Sequence, residues 1–289
     1  MSEHLHSPPT IVVGIDGSRS AVDAALWAVD EADSRDIPLR LVYAIDPDAA
    51  TGGGPQDCAR DLAAAEIAVR YAFIAVESTD KPVKIEVEIV QKQPVRALRE
   101  ASRSAVMLCV GSTGFRHSQQ GRIGSTAASV AATALCPVAV IRGHDPLQMT
   151  QRWIVAEVDE ALADDGPLLH GLEEARLRGA PLRALLTWQS RYTDIHDDHA
   201  VSDGNRIAKA QLEHRLSMWK KRYPDLELRA ATVHGTIANY LARYADSIQL
   251  LVVGHERAHG ISELVGPPGS AALRDGRCSL LICESQTVL

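Results

Sequence analysis

Aromatic side chains are scarce here: the 289 residues include two Phe, four Trp and six Tyr. They do not interleave with a basic stripe, and the net charge is −7. Neither nucleic acid nor an anionic membrane surface is therefore an expected partner. No apolar run approaches the roughly 18 residues that a membrane-crossing helix requires. Met1 to Pro9 is polar and lacks the apolar core of a secretory signal. It reads as a flexible tail (1–9) on a cytoplasmic protein. Cysteine is sparse too, and Cys58, Cys109, Cys136, Cys278 and Cys283 form neither a C-x-x-C pair nor a disulfide ladder. Four of them fall on or beside apolar runs, where a free thiol serves as a small buried apolar group. A reducing compartment fits. Between Gly111 and Ser125 there is no lysine, which excludes the phosphate-binding lysine of a P-loop.

What the chain does have is a strand that runs into glycines. Ala105-Val106-Met107-Leu108-Cys109-Val110 reads as a buried parallel strand. Gly111-Ser112-Thr113-Gly114 follows directly, and Gly124-Ser125-Thr126 then opens a helix. Glycine permits positive φ and close approach of the backbone to a ligand, so main-chain N–H groups can converge on an anion. A helix start at Ser125 adds unpaired amides and the positive end of a dipole, and Ser125 and Thr126 add hydroxyls. Ordinary turn chemistry also explains such glycines. A second element favours the ligand reading. Ile11-Val12-Val13-Gly14-Ile15-Asp16-Gly17-Ser18 is a β-branched strand ending in Gly, Asp, Gly and Ser, before a helix with Val22, Ala25, Leu26 and Val29 on one face. In a doubly wound sheet of order 3-2-1-4-5 the first and fourth strands are neighbours, and ligands bind at their carboxyl ends. Asp16 and Gly111 would then face one pocket. Asp16 also suits a helix N-cap, a role that Ser18 fills equally well.

Those residues carry a resemblance to the universal stress protein family, in its tandem, ATP-binding branch. The motifs are Val13-Gly14-Ile15-Asp16-Gly17-Ser18, the Gly111/Gly114/Gly124-Ser125 spacing, and the closing strand Cys136-Pro137-Val138-Ala139-Val140-Ile141. The resemblance implies an ATP site with Gly14, Ile15, Asp16 and Ala44 at the adenine. It places Val110, Gly111, Gly114, Gly124, Ser125 and Thr126 at the ribose and phosphates, with Mg2+ bound through the phosphates.

The chain also repeats itself. Ile11-Val12-Val13 matches Ile154-Val155-Ala156, Ile37-Pro38-Leu39 matches Ala180-Pro181-Leu182, and Val110-Gly111 matches Val253-Gly254, all at an offset of 143. The expected organisation is two α/β domains, 10–142 and 153–289, joined by a polar linker over 143–152. Each is a flavodoxin-like, Rossmann-like parallel sheet of five strands with helices on both faces. Strands are expected near 10–16, 39–45, 83–90, 105–110 and 137–142, then 153–158, 182–188, 226–233, 248–253 and 279–284. The halves differ where phosphate would bind. Gly14 becomes Glu157, Gly17 becomes Glu160, Ser18 becomes Ala161 and Gly114 becomes Arg257, while Asp16 survives as Asp159 and Gly111 as Gly254. One residue shorter, the second loop sets Gly266-Pro267 against Gly124-Ser125, and proline offers no N–H to an anion. One competent ATP site, in the first half, is the expectation.

Two other strings imitate metal sites. His255-Glu256-Arg257-Ala258-His259 spells H-E-x-x-H, but it follows a strand directly and meets Gly260, so it belongs to a loop and not to a zinc helix. Asp194 to His199 has ligand types within a variable connection, where a solvated loop is the usual state. Arg116, His117 and Arg122 are loop residues within reach of β- and γ-phosphates, yet nothing stands out as a general base. The expected role is an ATP-occupied stress sensor or regulator with unidentified protein partners. A slow ATPase and an interaction protein with vestigial sites are the alternatives. The apolar closing strands Pro137 to Ile141 and Ser279 to Cys283 are sheet edges that seek a partner. Docking of the halves as a pseudo-dimer, and a homodimer beyond it, is expected.

Overall fold

The computed structural model describes residues 8–48, 55–114, 123–143, 152–158, 165–189, 198–255, 260, 262–265, 273 and 277–283. Most of the expected tail and linker lies outside them. The chain divides into two compact units, Met1–His144 and Asp145–Leu289.

In the first unit the order is β1 (Thr10–Ile15), α1 (Arg19–Arg35), β2 (Leu39–Ile45), α2 (Pro55–Glu77), β3 (Ile85–Gln91), α3 (Pro94–Ala101), β4 (Ala105–Gly111), α4 (Ser125–Thr133) and β5 (Val138–Ile141). The second unit has β6 (Trp153–Val158), α5 (Gly166–Arg178), β7 (Leu182–Trp188), α6 (Asp198–Arg222), β8 (Leu228–His234), α7 (Ile237–Tyr244), β9 (Ile248–Gly254), a short α8 (Ser262–Val265) and β10 (Ser279–Cys283). Strand order is β3-β2-β1-β4-β5 in one and β8-β7-β6-β9-β10 in the other. Every pairing within each unit is parallel. This is the order 3-2-1-4-5 that the sequence predicts.

Parallel strands covered on both faces have no polar side, and the central ones show it. Ile11, Val12 and Val13 are fully buried, as are Ile154, Val155 and Ala156. The repeat extends to irregularities. Register between β1 and β4 slips by one residue after Thr10↔Ala105, and between β6 and β9 after Trp153↔Ile248. Both units thus carry the same bulge at the same place. Both first helices also end in a left-handed residue, Asp36 in α1 and Gly179 in α5, the conformation that closes a helix by turning its last carbonyls inward.

Each first helix holds a charge on its buried side. Glu31 pairs with Arg35 in α1, and Glu174 with Arg178 at 2.9 Å in α5. The second pair is the more enclosed, at 1% and 4% side-chain exposure. A carboxylate there is tolerated only with a guanidinium one turn away. Replacing Arg178 with Met should leave Glu174 charged beneath the helix and destabilise the second unit by about 3 kcal/mol. Urea unfolding followed by the fluorescence of Trp153, Trp188 and Trp219 measures this.

Candidate functional site

At the carboxyl ends of β1 and β4 three segments meet. β1 delivers Gly14, Ile15 and Asp16, and its register sets Gly14 between Val42 of β2 and Val110 of β4. Successive side chains point to opposite faces of a strand. Gly14, Val42 and Val110 therefore share one face, against Leu98 of α3, and a methyl group on Gly14 would lie 3.1 Å from Leu98 Cδ1. Ala44 lies on that face one step further along β2, half-buried, in register with Val90. Ile15 points to the other face and is 4% exposed, so its side chain belongs to the core and only its main chain can meet a ligand.

Beyond the strand, Asp16 is exposed and its Oδ1 accepts a hydrogen bond from the Ser18 N–H at 2.9 Å. Gly17 between them has φ +82°, a region glycine occupies without strain. Ser18 is the N-cap of α1, its hydroxyl accepting from the Ala21 N–H at 3.2 Å. The two capping candidates thus divide the work. Ser18 caps the helix and Asp16 holds the turn.

The glycines of the fourth-strand loop do not adopt positive φ, contrary to expectation; among the described residues near the site only Gly17 does. For Gly111 the reason is space. A Cβ on Gly111 would sit 2.5 Å from the Ser20 carbonyl carbon and 2.7 Å from the Ala21 nitrogen. The end of β4 therefore lies directly on the first turn of α1. Ser20 Oγ donates to the Thr113 carbonyl, Thr113 Oγ1 lies 3.3 Å from Ser20 Oγ, and Ser18 Oγ lies 3.2 Å from it. Spacing along the chain had pointed to neither Ser20 nor Thr113; the polar residues flanking Gly17 and Gly111 are the only trace of them. A Cβ on Gly114 would stand 3.1 Å from Asp16 Oδ2, and one on Gly124 would stand 3.6 Å from the Gly114 nitrogen. Asp16, Gly114 and Gly124 are thereby brought together from three segments.

The loop closes through main-chain bonds. The Ser112 N–H donates to the Ile141 carbonyl at 2.8 Å, and the Gly124 N–H donates to the Ser112 carbonyl at 2.8 Å. Gly124 is the N-cap of α4 and has no side chain of its own to cap that end. The first-turn amides of Ser125, Thr126 and Ala127 consequently lack intrahelical acceptors. Ser125 is exposed and Thr126 half-buried. On the opposite side, Gln93 Nε2 donates to Asp48 Oδ2 at 2.7 Å and ties the loops after β2 and β3 together. Asp46 and Asp48 put carboxylates on the β2 side of the crevice, Asp16 stands beside Gly114, and the start of α4 offers amide donors. Arg116, His117 and Arg122 lie outside the described residues.

The second unit builds the corresponding place differently. Glu157 is half-buried in register with Leu185, the position that Gly14 leaves bare beside Val42. Trp188 ends β7, its indole Nε1 donating to Asn205 Oδ1 at 2.8 Å and its ring edge-on to His234 at 4.8 Å. Gly204 of α6 lies so close beneath that ring that a Cβ would overlap it. The end of β7 thus carries an indole packed on α6; a glycine inside the helix at Gly204 is the sequence signal for it. The His255 N–H donates to the Cys283 carbonyl at 2.7 Å, repeating the Ser112 bond. His255 is therefore placed at the strand end, as the repeat implies. Asp159, Glu160, Ala161, Glu256, Arg257, Ala258, His259, Gly266 and Pro267 lie outside the described residues, as do Asp194 to Asp197.

A five-stranded parallel sheet of order 3-2-1-4-5, present twice, with a glycine loop at the switch point of the first, defines a tandem α/β protein of the flavodoxin-like class. The chain belongs to the universal stress protein family. The sequence profile of that family matches residues 9–142. A universal stress protein of Mycobacterium tuberculosis is 48% identical over 283 residues, spanning 97% of this chain and 98% of the relative. Another from the same species is 47% identical over 271 residues, spanning 91% and 94%. A universal stress protein from Archaeoglobus fulgidus has the same fold, with a TM-score of 0.65 at 14% identity over 96% of each chain.

The two strand-end glycines separate packing from inheritance. Gly111→Ala forces its methyl into the α1 backbone and should cost about 1–3 kcal/mol. Among the described residues Gly254 meets Pro167 Cγ, at an ordinary 3.5 Å, so Gly254→Ala should change stability by less than about 0.5 kcal/mol. Thermal unfolding of the two variants beside the parent protein checks the pair.

Proposed function

We propose that the first unit binds ATP and that the protein acts as a stress-response sensor or regulator read by its nucleotide occupancy. The observation that carries this is the meeting of Asp16, Gly114 and Gly124 beside the uncapped start of α4. A carboxylate accepts hydrogen bonds from an adenine amine or a ribose hydroxyl and repels phosphate. Asp16 therefore takes the nucleoside end, over a floor made by Gly14, Val110 and Ala44, with the Ile15 main chain beside it. Next to it Gly111, Gly114 and Gly124 keep the backbone clear of side chains for the ribose, and the phosphates lie farther on, where the amides and hydroxyls of Ser125 and Thr126 face the anion. Bare glycines are what such a ligand needs, and a side chain at Gly114 would fill the space beside Asp16.

Among the described residues no group of three His, Cys, Asp or Glu side chains is placed to hold a metal ion by itself. In this reading Mg2+ arrives with the phosphates, which supply most of its oxygen ligands. The second unit serves as a structural or regulatory partner. Glu157 puts a carboxylate where the floor is bare in the first unit, and Trp188 occupies the neighbouring strand end.

Nucleotide extracted from the purified protein, quantified per chain, should amount to about one ATP, in line with one intact site. Gly114→Glu should lose it by placing a second carboxylate beside Asp16, whereas Glu157→Gly should leave the stoichiometry unchanged. Two nucleotides per chain would overturn the assignment of the second unit. No nucleotide, and none taken up from ATP with Mg2+ by calorimetry, would turn the reading toward an interaction protein.

A further inference from the structure

Helices that connect parallel strands run back against them, so each ends at the amino end of the sheet. In the second unit α5 ends in Arg176 and Arg178, α6 in Lys220, Lys221 and Arg222, and α7 in Arg243. Arg178 is held by Glu174. The others are exposed and make no ion pair among the described residues. Against them stand Asp225, Asp246 and Glu227, the last 2.6 Å from Arg229.

Cations suit the negative end of a helix dipole, but the fold does not require so many. In the first unit α2 has no basic residue in its last turn, and Glu77, Asp80 and Asp36 are exposed at the same end. The strands show the same reversal. Arg40 stands in register with Glu86 and lies 3.5 Å from Glu88, whereas Arg183 stands in register with Arg229. Like charges on adjacent strands are unfavourable, and an anion shared between them removes the cost. The net charge of −7 averages over both units and conceals this pole, because its cations come from separate segments.

Aromatic rings, scarce elsewhere, are set among these cations. The Arg183 guanidinium lies 2.9 Å from the centroid of the Trp153 ring and donates to the Tyr240 hydroxyl at 3.4 Å. Tyr244 stands 6.1 Å from Trp153 and is 36% exposed. At the end of α6, Trp219 and Tyr223 stack at 6.3 Å, with the Arg222 guanidinium 5.7 and 5.8 Å from the two rings. Thr10, Ala97 and Ala101 hold the places of Trp153, Tyr240 and Tyr244 in the first unit. Charge selects a polyanion, since guanidinium forks fit phosphate and carboxylate alike. The rings select among polyanions. An unpaired base offers them a π-face, which an acidic peptide or a lipid headgroup lacks, and a duplex keeps its bases stacked on one another. We infer that the amino end of the second-unit sheet docks single-stranded nucleic acid, with phosphates on Lys220, Lys221, Arg222 and Arg243 and bases against Tyr223 and Tyr244. This inference is independent of the ATP reading.

Fluorescence anisotropy of a labelled oligothymidylate of about 20 nucleotides, titrated with the full chain, tests it. The parent protein should bind at low salt and release the strand as salt rises. Lys220→Gln combined with Lys221→Gln alters only exposed side chains, so circular dichroism should show the fold intact. Binding should weaken at least tenfold, and the slope of log K against log[salt] should fall by about 1.4. Arg243→Gln, on a separate helix, should weaken binding severalfold. Tyr244→Ala should do so with the salt slope unchanged, as stacking requires. Arg60→Gln with Arg70→Gln, on α2 of the first unit, should change nothing. Absence of binding at low salt overturns the proposal. So does binding that the second-unit variants leave intact, or a Tyr244→Ala variant that binds as the parent does. Equal or tighter binding of a duplex, of polyglutamate or of phosphatidylserine vesicles overturns it as well.

Discussion

Between the end of β4 and the first turn of α1 there is no room for one additional carbon, and that absence organises the first unit. Because residue 111 is glycine, the strand lies on the helix backbone. Ser20 then reaches the Thr113 carbonyl across a separation of 93 residues, and the loop turns toward Asp16. Gly114 lies beside Asp16, and Gly124 beside Gly114. The crevice is bounded by this close packing of a strand end on a helix start. Asp46 and Asp48 stand on its β2 side, and the amide donors of α4 stand beyond Gly124.

The second unit repeats the frame. Its register slip, its left-handed helix end and its buried glutamate–arginine pair are the same. Among the described residues Gly254 meets the ring of Pro167 at an ordinary distance, and Glu157 stands in register with Leu185, where Gly14 leaves the floor of the first crevice bare. What duplication preserves is the core, where every side chain has many neighbours. What it releases is the mouth, where a few contacts decide.

Much of the fold was legible because its signals are local. β-branched runs of five to seven residues, a Ser before an apolar helix and glycines at strand ends each act within a few residues. The order of elements and the parallel topology followed from them. Of the residues read as a candidate site, Asp16, Gly114 and Gly124 come together, but not for the reasons their sequence spacing suggested. Gly111 is glycine for packing rather than for its φ. Ile15 turns its side chain into the core. The hydroxyls of Ser20 and Thr113 and the indole of Trp188 escaped notice because their roles exist only across long separations.

The sequence by itself determined which segments become strands and helices, that there are two units, and which half keeps its glycines, since propensity, periodicity and repeat offset are properties of the chain. Only the tertiary structure decided that Ser18 caps α1 while Asp16 holds the turn, that Gly111 must remain bare, and that Ile67, Tyr71 and Ile74 of α2 face outward. Amphipathic spacing shows that a helix has two faces, but an apolar residue every three or four positions appears on both sides of α2. The sheet alone selects which face is buried, because burial is a relation between surfaces far apart in the chain.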